Sequence, residues 1–391
     1  MGLVVDYLAE AERLAGELAT LRREFHREPE LGNREFKTAE RIERTLHECG
    51  IPARRILGTA VVGELVGKAP APSVALRADM DALPLQEDSG VDFASTVPGV
   101  MHACGHDVHM TAALGAMKLL SAHRKDLSGR VIFLFQPDEE GDGGAQRMIE
   151  AGALDGVSAV FGAHVTPDLP LGHIGVRYGK FYAASDTFRV SVTGKSAHGA
   201  EREKGIDALS SAAEMVLELL KIPQTLRDAS GETGVVSVGT FHSGTAGNIV
   251  ADHAEFSGII RTLGPEARRL TRGAFSSTVA AIAGKTGTRA EPYLHESYPG
   301  VVNEERMTRL VQETAFHLLG KERVQVIENP TLTTEDFGYF LQVCPGSFYH
   351  LGAGCSLPLH NPKFLPDDRA AVIGAALHAS VVTNALEMLY Q

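Results

Sequence analysis

The densest set of side chains capable of chemistry lies in residues 101–109, whose sequence is MHACGHDVH. The segment combines three histidines with Cys104 and Asp107. Imidazole, thiolate and carboxylate groups are ligands that transition metals prefer, so the segment indicates a metal site. An alternative stays open, because Cys104-x-His106 is not a zinc-finger spacing. A polar helix start capped by Asp107, with solvated histidines, has the same composition.

Three further segments place ligand-type side chains directly after apolar runs. Residues 136–142 (QPDEEGD) contain four carboxylates after one such run. Asp79 and Asp81 follow a second run, and His164 follows a third. In an acidic chain, a solvated acidic loop is the alternative interpretation of residues 136–142, and a single histidine is weak evidence by itself.

The surrounding pattern predicts the elements that position these side chains. Apolar runs alternate with helical segments, which predicts an α/β domain whose sheet is covered by helices. In such sheets, ligands bind beyond the carboxyl ends of the strands, so all three groups of side chains are expected at one edge. The predicted strands are 61–66, 74–77, 131–135 and 159–163, and the predicted helices are 109–123 and 145–150.

Several carboxylates, a thiol and histidines in one crevice suit a pair of divalent cations, since close carboxylates otherwise repel or take up protons. Such cations lower the pKa of a water and polarise a carbonyl oxygen. Of the adjacent Glu139 and Glu140, one is expected to bind metal. The other then accepts the water's proton and delivers one to a leaving nitrogen, which is the chemistry of amide hydrolysis.

The middle of the chain has a different pattern, with strands that alternate polar and apolar residues. The order strand, helix, strand, strand, helix, strand predicts a ferredoxin-like α+β unit inserted in the first domain. We therefore predict a discontinuous metal-binding catalytic domain, residues 1–183 and 292–391, and an inserted domain, residues 184–291. The predicted strands are 186–193, 234–241, 254–262 and 288–294, and the helices are 206–220 and 266–283.

Composition excludes several classes of protein. The 391 residues carry 37 Lys and Arg against 49 Asp and Glu, with a formal net charge of −12 and no basic run, which argues against nucleic-acid and membrane partners. The four cysteines form no CxxC pair and predict no disulfide framework. Residues 1–12 lack a basic stretch and no 18-residue apolar run occurs, so we expect a cytoplasmic protein without a signal peptide.

Four segments together resemble the aminoacylase/carboxypeptidase family of dimetal metallopeptidases, in particular its amidohydrolase subfamily. That subfamily includes hippurate hydrolases, N-acetyl-diaminopimelate deacetylases and indole-acetyl-amino-acid hydrolases. The resemblance runs from about residue 20 to 385. It implies a mixed sheet covered by helices, the inserted lid, and two divalent metal ions per subunit (Zn, Mn, Co or Ni). The segments are 76–84 (LRADMDALP), 101–107 (MHACGHD), 135–140 (FQPDEE) and 359–364 (LHNPKF).

The resemblance also implies roles for individual residues. Glu139 becomes the general acid/base, and Asp81 orients a ligand from behind. Asp79 stands where carboxypeptidase relatives have a ligand histidine, so Cys104 is expected to replace that ligand. His360 is identified only through the resemblance, because a histidine before Asn-Pro otherwise indicates a loop. The implied metal ligands are Cys104, His106, Glu140, His164 and His360.

In the inserted domain, residues 194–200 (GKSAHGA) resemble a family segment whose histidine stabilises the oxyanion, from the partner subunit in some relatives. This implies that role for His198. Asn248 and Arg261 match lid residues that hold the substrate's carboxylate. Without the resemblance, His198 would be a turn residue and Arg261 a surface charge.

The chain departs from the subfamily pattern at several positions, of which Asp138, Arg202 and Glu203 carry charge. They are expected to change the charge near the substrate and leave the reaction as it is.

The predicted function is metal-dependent cleavage of the amide of N-acyl-L-amino acids, with an acetyl, benzoyl or similar acyl group. The predicted partners are this small substrate and a second copy, in a homodimer through the inserted domain. A metallo-dipeptidase or carboxypeptidase using the same two metals is the alternative. A non-catalytic metal-binding relative is a third, disfavoured because it has no need for Glu139.

Overall fold

The computed structural model describes residues 5–390 and divides the chain into two compact units. The first contains the chain up to Gly179, Asn303–Glu328, and the chain from Tyr339 onward. The second contains Lys180–Val302 and Asn329–Gly338. Sequence analysis placed the boundaries at 183/184 and 291/292. The second of these falls inside a strand that continues to Glu296, because Glu296 still pairs with Asp186.

The strands and helices are numbered in chain order. The strands are β1 (Ala53–Ile56), β2 (Ala60–Val66), β3 (Ser73–Asp79), β4 (Arg130–Gln136), β5 (Ala159–Thr166), β6 (Ile174–Val176), β7 (Gly179–Tyr182), β8 (Ala184–Thr193), β9 (Ala197–His198), β10 (Gly234–Ser243), β11 (Ile249–Val250), β12 (His253–Thr262), β13 (Arg289–Glu296), β14 (Val301–Asn303), β15 (Val324–Val326) and β16 (Gly346–Gly352). The helices are α1 (Tyr7–Arg13), α2 (Ala15–Arg27), α3 (Phe36–Glu48), α4 (His106–Ala122), α5 (Ala145–Glu150), α6 (Ala208–Leu219), α7 (Ile222–Ser230), α8 (Pro265–Thr286), α9 (Glu305–Leu319), α10 (Gly338–Val343) and α11 (Asp368–Tyr390).

The first unit is built on an eight-stranded sheet in the order β1-β2-β4-β3-β5-β16-β6-β15. Its central strands β4, β3, β5 and β16 are parallel to one another, whereas β2 pairs antiparallel with β4 and β6 pairs antiparallel with β16. Every residue of β3 and β5 is buried, as their uninterrupted apolar runs predict. The predicted mixed sheet covered by helices is confirmed.

Two helices form much of the core of this unit. α4 and α11 pack against each other, and α2 packs against both. By length and composition α11 is apolar enough to cross a membrane, but 67% of its apolar window is buried inside the protein. Its apolar surface therefore belongs to the core.

Two boundaries near the candidate site differ from the prediction. α4 begins at His106 and not at residue 109, because Gly105 takes a left-handed conformation (φ 86°) that ends the preceding loop. β5 continues past Ala163 to Thr166, because its parallel pairing with β16 extends to Gly352. His164 is therefore inside a strand and not directly after one.

The second unit has the predicted ferredoxin-like order. Its sheet is β10-β12-β8-β13, and all neighbouring strands are antiparallel. Apolar side chains of the strands, including Phe188 and Phe256, pack against α6 and α8 through residues such as Phe275. The short strands β9 and β11 pair with each other, and helix α7, which the sequence analysis did not predict, follows α6.

Candidate metal centre

His106 lies in the first turn of α4, and a hydrogen bond to the backbone fixes the orientation of its ring. Nδ1 donates a hydrogen bond to the backbone carbonyl of Asp81 at 2.8 Å, since a carbonyl oxygen only accepts. Nε2 is buried and has no hydrogen-bond partner among the described residues. Carboxylate oxygens of Asp79 and Glu140 lie 3.9 and 4.0 Å from it. His106 therefore turns Nε2 toward a cluster of carboxylates.

Cys104 and His164 lie beside this nitrogen. The Sγ atom of Cys104 is 3.4 Å from Nε2 of His164, and both residues are buried. Nδ1 of His164 donates to the carbonyl of Val165 at 2.6 Å, so Nε2 is again the atom turned to the cluster. One ligand atom each from Cys104, His106 and His164 lie within 4.8 Å of one another.

Glu140 and His360 form a second group with the same cysteine. Nε2 of His360 lies 3.1 Å from Oε1 of Glu140, and ligand atoms of Cys104, Glu140 and His360 lie within 4.8 Å of one another. The backbone N–H of His360 donates to the carbonyl of Ala103 at 2.9 Å, which ties this loop to the cysteine segment. The structure therefore brings together all five side chains proposed as ligands, in two groups that share Cys104.

Asp81 holds the turn that carries the two glutamates. Its carboxylate oxygens accept hydrogen bonds from the backbone N–H groups of Glu139 and Glu140, each at 3.0 Å. A carboxylate oxygen of each glutamate and a nitrogen of His106 lie within 4.8 Å of one another. Asp81 thus supports the cluster in two ways. Its backbone carbonyl orients the ring of His106, and its carboxylate holds the turn that carries the two glutamates.

The electrostatics of the cluster favour a cation. Burial raises the pKa of the Cys104 thiol, and the carboxylates of Glu140 and Glu139 raise it further. Burial lowers the pKa of His106, but the charges of Asp79 and Asp81 outweigh it and raise that pKa to about 10. The carboxylates therefore favour the protonated form of both the thiol and the imidazole, because they create a negative potential that a bound cation would relieve.

The donor set fits transition-metal ions. One buried thiol, three histidines and two glutamates form the cluster. His106 Nε2 has no hydrogen-bond partner among the described residues, and both buried histidines have the opposite nitrogen bonded to a carbonyl. This second-sphere arrangement is typical of metal-ligating histidines. The solvated acidic loop is excluded for Glu139, which is buried.

Asp138, one of the departures from the subfamily pattern, is a buried carboxylate with fixed hydrogen-bond partners. It is buried, its φ is 59°, and its Oδ2 accepts hydrogen bonds from Asn33 at 2.6 Å and Arg147 at 3.0 Å. Its backbone N–H donates to Glu35 at 3.0 Å. Asp138 therefore supports the turn that carries the glutamates.

Asp107 does not cap α4 with solvated histidines, which removes the alternative interpretation of residues 101–109. It is fully buried, and its Oδ2 accepts hydrogen bonds from Arg22 at 2.9 Å and from His26 at 2.8 Å. Sequence analysis missed His26 because a histidine 81 residues away in a helix gives no local signal. It also gave no role to His109, three residues after His106 on the same helix.

Two of the candidate residues of the second unit lie together. His198 in β9 pairs with Ile249 in β11, and the N–H of Gly199 donates to the carbonyl of Asn248 at 2.8 Å. His198 is exposed, and its Nδ1 accepts from the N–H of Ala200 at 3.1 Å, so Nε2 carries the proton of the neutral ring. His198 can therefore donate a hydrogen bond to an oxyanion while uncharged.

Arg261 is not brought to His198 within this unit. It lies near the end of β12 where β8 begins, opposite Ser185, whereas β9 follows the far end of β8. Arg261 is half-buried and donates to Ser185 Oγ at 2.7 Å. Arg202 is exposed and pairs with Asp207 at 2.8 Å, so its charge is already paired.

The comparisons with known proteins agree with this centre. The chain matches the model of peptidase family M20/M25/M40 over residues 75–384 and belongs to that family, as the four sequence segments predicted. It is 37% identical over 389 residues to thermostable carboxypeptidase 2 of Saccharolobus solfataricus, which covers 97% of this chain and 98% of the relative. It is 36% identical over 378 residues to N-acetylcysteine deacetylase of Bacillus subtilis, covering 95% and 97%.

A solved structure resembles the whole chain. It is a dinuclear metal binding peptidase of the M20 family from Bacillus subtilis, with a TM-score of 0.86 and 34% identity. The match covers 96% of this chain and 99% of that one, so it includes both compact units.

Proposed function

We propose that the protein is a metal-dependent amidohydrolase that cleaves N-acyl-L-amino acids into a carboxylate and a free amino acid. The observation that carries the proposal is the cluster around His106 Nε2, with five ligand-type side chains and one further buried glutamate. Cys104, His106, Glu140, His164 and His360 would hold two divalent ions. These ions supply Lewis acidity, which lowers the pKa of a water and polarises a carbonyl oxygen.

Glu139 is the general acid/base in this proposal. It accepts the proton of the attacking water and later delivers a proton to the leaving nitrogen, so that amide and water become carboxylate and amine. Asp81 keeps Glu139 in place by accepting the hydrogen bond from its backbone N–H.

The second unit supplies the remaining groups. His198 donates from Nε2 to the oxyanion. Asn248 and Arg261 lie at opposite ends of the second unit's sheet, so they bind one substrate carboxylate only if they come from two copies of the chain. The donor state of His198 and the planar guanidinium of Arg261 support these roles. The deacetylase relative supports an acyl-amino acid as substrate.

A metallo-dipeptidase or carboxypeptidase is the second candidate. It needs the same residues, because a peptide bond is also an amide, and the carboxypeptidase relative favours it. The two candidates differ in what lies on the acyl side of the bond. A substrate panel therefore separates them.

The test is release of free amino acid from N-acetyl-, N-benzoyl- and dipeptide substrates. The protein is first stripped of metal with a chelator, and Zn²⁺, Mn²⁺, Co²⁺ or Ni²⁺ is then added back singly. Cleavage of acyl-amino acids that depends on added metal supports the proposal, and cleavage of dipeptides alone selects the peptidase. Bound metal without any turnover contradicts both.

We also propose a homodimer through the second unit and a cytoplasmic location. β10 is a ten-residue edge strand with exposed Val235 and Phe241, and α6 exposes Leu217, which supports a covered surface. The four free cysteines support a reducing compartment. A sedimentation experiment that finds only monomer removes the dimer, and cell fractionation tests the location.

A further inference from the structure

His109 lies beside the candidate ligands, yet both of its ring nitrogens are already engaged. Nδ1 lies 2.6 Å from Oδ1 of Asp79, and Nε2 accepts a hydrogen bond from the backbone N–H of Val165 at 2.8 Å. An N–H group cannot accept, so Nε2 is unprotonated and the proton is on Nδ1. His109 therefore has no lone pair left for a metal, although it lies close enough to Asp79 and His106 to form a ligand-type group.

Asp79 is itself held rigidly. Its Oδ2 accepts a hydrogen bond from NH1 of Arg77 at 2.7 Å, and Nε of Arg77 donates to Gln136 at 2.9 Å. Arg77, Asp79 and Gln136 are all buried at the ends of β3 and β4. The charge of Asp79 is therefore paired, and its two oxygens face two different donors.

The chain of contacts continues to a candidate metal ligand. The peptide N–H of Val165 donates to His109, and the carbonyl of the same residue accepts from Nδ1 of His164. The ring of His109 is 4.6 Å from that of His164, centroid to centroid. The position of Val165 thus decides where Nε2 of His164 points, which is toward Cys104.

We propose that Arg77, Asp79 and His109 form a positioning relay that acts through Val165 to aim His164 at the metal centre. The proposal rests on the proposed function, because it assigns these residues to the support of that same centre. Asp79 and His109 are positioning residues and not ligands. The relay occupies the place where a ligand would otherwise come from the end of β3.

The first test is Asp79→Asn, which is isosteric and removes one acceptor. If the new amide NH₂ faces Arg77, two donors meet. If it faces His109, the ring must take the other tautomer, and its Nε2–H then meets the N–H of Val165. In either orientation one contact of the relay is lost, so binding of one of the two divalent ions is expected to weaken by about 10- to 100-fold.

The second test is His109→Leu, which keeps the charge of Asp79 and leaves no side-chain acceptor for the N–H of Val165. Co²⁺ titration of the chelated protein measures stoichiometry and affinity. The thiolate-to-cobalt absorption reports the environment of Cys104 without any need for turnover. Weakening of one site with an altered spectrum in both variants supports the relay. Weaker binding in Asp79→Asn alone indicates a simple charge effect and overturns the relay. The relay is also overturned if both variants bind both ions with wild-type affinity.

The matched control is His378→Asn. His378 is a buried histidine of the same unit, bonded through Nδ1 to the hydroxyl of Tyr349 at 2.6 Å, and it is outside the relay. It should retain both metal affinities. Circular dichroism of the metal-free variants checks folding, and His109→Leu decides the proposal if Asp79→Asn does not fold. A wild-type protein that binds no divalent ion contradicts the proposed function itself, whereas unchanged variants contradict only the relay.

Discussion

The two compact units hold their candidate residues in opposite ways. In the first unit the ligand-type side chains are mostly buried. Hydrogen bonds with backbone carbonyls, carboxylates and N–H groups fix their orientation. In the second unit His198 and Asn248 are exposed, and Arg261 is half-buried at a distance along the sheet.

The difference indicates a division of labour. Buried donors with fixed partners are oriented before any substrate arrives, which a metal centre requires. Exposed donors on short strands acquire a fixed geometry only when a substrate or another chain contacts them. Substitutions in the first unit should therefore change metal binding or chemistry, and those in the second should change turnover with the metals retained.

The largest effect is expected for Glu139→Gln, which keeps the shape of the side chain and removes the base. Turnover should fall by roughly 10²- to 10⁴-fold while both metals stay bound, because only proton transfer is lost. Amide hydrolysis and metal content measure the two halves of the prediction. Glu150→Gln, an exposed glutamate on α5, is the control. Full activity in Glu139→Gln would falsify the assigned mechanism.

The next effect is expected for His198→Ala in the second unit. Loss of an oxyanion donor should slow turnover by roughly 10²- to 10³-fold, again with both metals bound. His253→Ala removes another exposed histidine of the same unit and should be neutral. If His198→Ala loses metal, the proposed separation between the two units is wrong. If it keeps wild-type turnover, the oxyanion role is wrong.

A pH effect is expected from the buried charges of the first unit. Burial lowers the pKa of His26, but hydrogen bonds to Asp107 and Glu87 raise it to about 9 from its ordinary value of 6.5. Because the folded pKa is the higher one, this stabilisation is complete below pH 6.5 and is lost as the pH rises to about 9. The free energy of unfolding should fall by up to about 3 kcal/mol over that range.

Chemical denaturation of the metal-free protein at several pH values measures this fall. In His26→Gln the contribution of His26 to this fall should disappear, whereas the contribution of His106, whose pKa is also raised, should remain. An equal fall in the variant would assign the effect to other groups.

The smallest effect is expected for Asp138→Ala. It removes the hydrogen bonds from Asn33 and Arg147 and places alanine at φ 59°, so stability should fall by about 1–3 kcal/mol. Thermal or chemical denaturation measures the change. Asp142→Ala, at an exposed position in the same loop, should leave stability nearly unchanged. If Asp138→Ala instead changes substrate preference at constant stability, the expectation from sequence was correct and the structural one is not.

Much of the fold was accessible from sequence because apolar runs and helical periodicity are local. The buried strands β3, β4 and β5 and the ferredoxin-like order of the second unit were all predicted. Errors at the ends of strands and helices arose because pairing with distant segments overrides the local sequence pattern there. β5 extends through His164 because β16 pairs with it, and β16 comes from a segment some 180 residues further on.

The candidate site was only partly accessible. Residue type and position after strands singled out Cys104, Glu139 and Glu140, and family resemblance added His360. His109 and Asp138 were given no supporting role, because that role depends on contacts with Asp79, Val165, Asn33 and Arg147. Such contacts leave no periodic or compositional signal.

The sequence by itself determined the chemical inventory of this protein: its ligand types, its spare carboxylate, its acidic charge and the pattern of its two units. The tertiary structure decided which nitrogen of each histidine faces the cluster. It also decided that the carboxylates of Asp107 and Asp138 are buried and hydrogen-bonded, and not solvated. The physical reason is the separation along the chain of the groups that determine each property. Side-chain chemistry and hydrophobic period are properties of neighbouring residues, whereas a tautomer or a paired buried charge is fixed by groups that only folding brings within 3 Å.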